Sequence, residues 1–68
     1  MTPMAQSILS DIVRSVRAAD EHLAEELERR TANEAKHVWY PWLQKLATSG
    51  QLPTEANALV DDLFFALH

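Results

Sequence analysis

Sixty-eight residues, no cysteine and a formal charge of −4 confine the chain to one small domain without disulfide staples, spanning 1–68. A core this thin makes self-association or docking on a partner the usual source of extra stability, so a homodimer is expected. Ten acidic residues stand against six basic ones, and Arg14, Arg17, Arg29, Arg30, Lys36 and Lys45 are scattered. They lack the clustered basic face that phosphate-backbone binding needs, which argues against direct nucleic-acid binding.

Thr2 followed by Pro3 is a helix N-cap followed by the residue favoured at the first helical position. From there Ala5, Ile8, Leu9, Ile12, Val13, Val16, Ala19, Leu23 and Leu27 hold one face at the helical period, so the spacing predicts one long amphipathic helix over about 3–30. The start Met1-Thr2-Pro3-Met4 lacks the basic stretch and apolar run of a signal peptide, and no run is long enough to span a bilayer. A soluble, cytoplasmic protein with no membrane contact is expected.

Polar residues then interrupt the stripe. Thr31-Ala32-Asn33-Glu34 fits a capping box at a new helix start, and it equally fits a solvated stretch of a helix that runs straight on. Ala35, Val38, Trp39, Trp42, Leu43 and Leu46 restore the helical face and predict a helix over 32–48. Pro41 falls inside it, removing one backbone donor and crowding the carbonyl of His37, which predicts a kink or restart there. Gly50 with Pro53 marks a stop, and Pro53-Thr54-Glu55 opens a last helix over 54–67. Ala56, Leu59, Val60, Leu63, Phe64 and Leu67 share its inner face and fold it back antiparallel. The fold class is all-α: a helical hairpin or three-helix arrangement, expected as an antiparallel homodimer. Its core or dimer contacts are Ile8, Ile12, Val16, Leu23, Leu27, Leu46, Leu59, Leu63 and Phe64.

Catalytic and metal chemistry find little footing. No cysteine is present, and Ser7, Ser10, Ser15 and Ser49 have no histidine at a spacing that a helix would bring close. One glycine cannot build a phosphate-cradling loop. Glu34-Ala35-Lys36-His37 has the Glu-x-x-His spacing of di-metal helical bundles, but the further glutamates such a site needs are missing and Glu34 lies in a polar stretch. His22 with Glu26 is an i,i+4 surface pair. No catalytic residue, metal ligand or cofactor is assigned. Asp20, Glu21, Glu25, Glu26 and Glu28 offer a DNA-mimicking surface, or simply a solvated face interrupted by Arg29 and Arg30.

The run His37-Val38-Trp39-Tyr40-Pro41-Trp42-Leu43 gathers three of the five aromatic residues around the interior proline. Trp and Tyr are enriched at binding hot spots because each offers a large rigid apolar area with a polar handle. On a helical wheel Tyr40 points away from the face of Trp39 and Trp42, and Phe65 lies nearly opposite Leu63 and Val60. Trp39, Tyr40, Trp42 and Phe65 are therefore the candidate partner contacts, with Trp39 and Trp42 also fitting a core.

In length, in its cysteine-free acidic helical make-up and in the aromatic cluster Val38-Trp39-Tyr40-Pro41-Trp42, the chain resembles the small early proteins by which temperate phages block a host protein. One such group is the phage anti-activators of Pseudomonas that bind a LuxR-type quorum-sensing regulator and a type IV pilus assembly ATPase. The resemblance implies a helical, dimeric protein without catalysis, whose exposed aromatics seize a host transcription regulator. The rival expectation is a structural dimerisation or assembly module, in which Tyr40 and Phe65 are buried at a symmetric interface.

Overall fold

A computed structural model describes residues 1–67. Four helices are found there: α1 (Pro3–Ala19), α2 (Glu21–Asn33), α3 (Lys36–Thr48) and α4 (Thr54–Leu67). The class is all-α, and the single long helix expected over 3–30 is divided in two. The divider is Asp20, whose extended backbone (φ −153°, ψ 99°) serves both sides. Its N–H donates to the Val16 carbonyl at 2.7 Å, closing α1, and its carboxylate accepts from the Leu23 N–H at 3.1 Å, opening α2. Arg17 then ties the corner from outside, pairing with Glu21 at 2.9 Å and with Glu28.

The start of α1 follows its sequence signal, with the Thr2 hydroxyl accepting from the Ala5 N–H at 3.1 Å. Thr31 opens no helix. Its hydroxyl instead donates back to the Leu27 carbonyl at 2.9 Å inside α2, and the chain breaks at Glu34 and Ala35. The helix expected over 32–48 is thus shorter at its start, and α3 passes through Pro41. Its end is a Schellman motif: the Gly50 N–H donates to Ala47 and the Gln51 N–H to Leu46, with Gly50 at φ +75°.

The helix backbones adjoin in the order α1–α2–α3–α4 and back to α1, and those of the diagonal pairs stay apart. The most extensive packing joins α1 to α4. They run antiparallel, since Met1 and Thr2 line a cleft with Ala66 and Leu67 at one end, while Ala18 lines another with Glu55 and Leu59 at the other. The core takes Leu9, Ile12 and Val16 from α1, Ala24 and Leu27 from α2, Trp39, Leu43 and Leu46 from α3, Leu52 from the loop, and Val60 and Leu63 from α4. Of the core residues expected from sequence, Ile8, Leu23 and Leu59 are only partly buried against it. Phe64 is 41% exposed, because it follows Leu63 by about 100° on the wheel and so sits at the edge of the stripe.

Candidate protein-binding surface

Trp39 is 1% exposed and so is removed from the candidate contacts. It lies on the same face as Leu43 and Leu46, which α3 turns into the ring of helices. Tyr40, expected to lack a seat in the monomer, is half-buried because α4 runs along that flank of α3. Its hydroxyl donates to the Val60 carbonyl at 3.3 Å, and burial, with a further push from the Asp61 carboxylate, raises its pKa above the ordinary 10.0. Trp42 is half-buried on the opposite flank, where the Arg30 guanidinium carbon stands 4.5 Å from its ring centroid. Glu26 and Glu34 hold that arginine at 2.9 and 3.7 Å.

A chain of rings leads outward from the core. Trp39 and Tyr40 meet edge-on at 6.1 Å between centroids, Tyr40 and Phe64 at 6.2 Å, and Phe64 and Phe65 edge-on at 5.7 Å. Phe65 ends the series in solvent, 77% exposed. The large apolar residues exposed elsewhere are Met1, Met4 and Val38. Met1 and Met4 stand at the start of α1, Val38 in the first turn of α3, and Phe64 and Phe65 in the last turn of α4. These three helix ends come together, because α4 runs antiparallel to α1 and also to α3, whose Lys36 ammonium donates to the Leu67 carbonyl at 3.2 Å. One pole of the bundle is therefore apolar. The opposite pole, formed by the Asp20 corner and the loop 49–53, exposes no large hydrophobic residue. Met1, Met4 and Val38 were missed as contacts because single residues just off a stripe carry no signal until three helix ends converge.

Other sequence candidates are dispersed by the fold. Glu34 ends α2 and His37 lies in α3, so the break between them removes the helical register on which the Glu-x-x-His reading depends. Among the described residues no three potential metal ligands gather. Glu26 pairs with Arg29 and Arg30 instead of His22. The acidic surface of α2 is likewise occupied, with Asp20 capping, Glu21 and Glu28 on Arg17, and Glu26 on Arg30. The groove between α1 and α2, about 670 Å³ and lined by Leu9, Val13, Arg14 and Arg17, has its two arginines paired to Asp11, Glu21 and Glu28. No family model, curated protein or solved structure matches this chain.

Proposed function

We propose that this is a small non-catalytic binding protein that grips another protein through its apolar pole and blocks it, as an inhibitor or anti-activator does. The observation that carries this reading is the gathering of Met1, Met4, Val38, Phe64 and Phe65 at one end, while the other end exposes none. Clustered exposed apolar residues mark interaction sites, and aromatic residues among them supply the anchors. The likeness to phage anti-activators points to a bacterial transcription regulator of the LuxR type as the target, with the cytoplasm as the place of action. No helix among the described residues is long and apolar enough to cross a membrane.

The test is capture from bacterial lysate with wild type, Val38→Asp and Phe65→Asp side by side, each first checked for native helicity. A protein retained by the wild type and lost by both variants supports the reading. A wild type that retains nothing specific, or a captured protein indifferent to both substitutions, defeats it. The second reading, a dimerisation or assembly module, is favoured by Phe65, which is 77% exposed and which a second copy would cover.

A further inference from the structure

The corner between α1 and α2 is made by one residue. Asp20 leaves the helix with φ −153° and ψ 99°, and beside it stand Ala18, Ala19, Glu21 and His22, with neither glycine nor proline. The apolar stripe does not register the bend: continued as one helix, Val16, Ala19, Leu23 and Leu27 fall on a single face. In the bent chain that face is incomplete at the corner, where Ala19 is exposed and Leu23 only partly buried. The N–H groups of Glu21 and His22 find no partner among the described residues, and the Leu23 N–H is held by the Asp20 carboxylate. A straight chain would close all three on the carbonyls of Arg17, Ala18 and Ala19. Arg17 and Glu21, paired at 2.9 Å across the corner, are four residues apart, so a continuous helix keeps them paired.

We infer that Asp20 is a hinge through which two copies of this chain exchange α1. Opened there, α1 and α2 form one helix over 3–33, about 45 Å long. α1 then leaves its own α4 and lies on the α4 of the second copy. It enters the seat between α2 and α4 that α1 fills in the closed molecule, where Ala24, Leu27, Val60 and Leu63 are buried. Every contact of the closed molecule except the corner is thus made again between copies. The pairing of α1 with α2 fixes the symmetry. The end of α2 lies beside the start of α1, since Thr31 lines one cleft with Gln6 and another with Thr2. The two long helices therefore run antiparallel and cross at their Asp20 residues about a two-fold axis. Arg17 of one copy meets Glu28 of the other, and at the crossing Ala19 of one stands beside Leu23 of the other, covering apolar surface that the bent corner leaves in water. Each bundle of the pair has an apolar pole drawn from both copies, Met1 and Met4 from one and Val38, Phe64 and Phe65 from the other, and the two poles face opposite ways. The exchange is independent of whether a target is captured.

The test is refolding of the full chain from urea at about 5 µM and at about 1 mM, read by static light scattering; exchange takes two chains, so dimer should form in the concentrated sample. On dilution that dimer should separate no faster than the protein unfolds, because each α1 must leave a core to return. Glu21→Pro should stay monomeric at both concentrations. Proline suits the first position of α2 and the extended Asp20 before it, gives up no backbone bond in the bent form, and in a straight helix would clash with the Arg17 carbonyl. Asp20→Ala should act in the opposite sense. The cap it removes serves only the bent form, so the dimer should tighten about thirtyfold, roughly fivefold for each of two corners. Circular dichroism establishes that the variants are folded, and the two opposed shifts keep the outcome from resting on one of them. Wild type and Asp20→Ala that both refold only to monomer overturn the inference. So does a dimer that Glu21→Pro forms equally well, or one that separates faster than the protein unfolds, which is the behaviour of a surface pair.

Discussion

Tyr40 is the only tyrosine in the chain, so its ionisation can be read in isolation by ultraviolet absorbance. Burial first, and the Asp61 carboxylate second, favour its neutral form in the fold. The stability this contributes is fully present below the ordinary pKa of 10.0 and is lost as pH rises through the raised value. The tyrosinate midpoint should accordingly lie higher in the native protein than in urea, and equal midpoints would place the ring in water. Tyr40→Phe should remove the titration altogether and cost about 0.5–1.5 kcal/mol for the bond to Val60. Urea unfolding should rank the neighbouring rings by depth. Trp39→Ala is expected to cost about 3–5 kcal/mol, and Phe65→Ala less than about 0.5. The aromatic run was visible in the sequence, but which ring points inward was not. That is decided by α4, which covers the Tyr40 flank of α3 and turns a surface position into a seat.

Helix ends were legible where the backbone demands a particular residue. Thr2-Pro3 and Gly50 with Pro53 stand where the chain starts and stops helices. Asp20 escaped notice because Ala19, Leu23 and Leu27 keep a four-residue spacing across it, and an aspartate on a polar face looks the same whether it is solvated or caps a helix. Its two roles predict that Asp20→Ala lowers stability by about 1 kcal/mol, with Asp20→Asn retaining most of it, measured by thermal unfolding. Gly50 makes the complementary case. A Cβ there would meet nothing within 4 Å, so Gly50→Ala should cost about 1–2 kcal/mol through its φ of +75° alone, and Gly50→Asn less.

Across the whole molecule, the helices farthest apart in sequence make the most extensive contact, and α4 closes the ring. A chain ending at Pro53 loses Ala56, Val60 and Leu63 from the core and leaves Ile12 and Trp39 open. Far-ultraviolet circular dichroism should show it largely unfolded; retained native helicity would mean that α1, α2 and α3 form a core without it. The closed ring exposes 4332 Å², close to the roughly 4,300 Å² expected of a compact monomer of this mass. A single closed copy is therefore already a finished fold. The meeting of helix ends also governs how the protein can be handled. Polypeptide joined before Met1 or beyond Leu67 emerges beside the apolar pole, so an affinity tag or a reporter fused at either end stands over the surface it is meant to leave free. The loop at the far pole is the sound anchorage. Gln51 is exposed there and the chain has no cysteine, so Gln51→Cys provides one thiol by which the molecule can be immobilised with its apolar end facing outward.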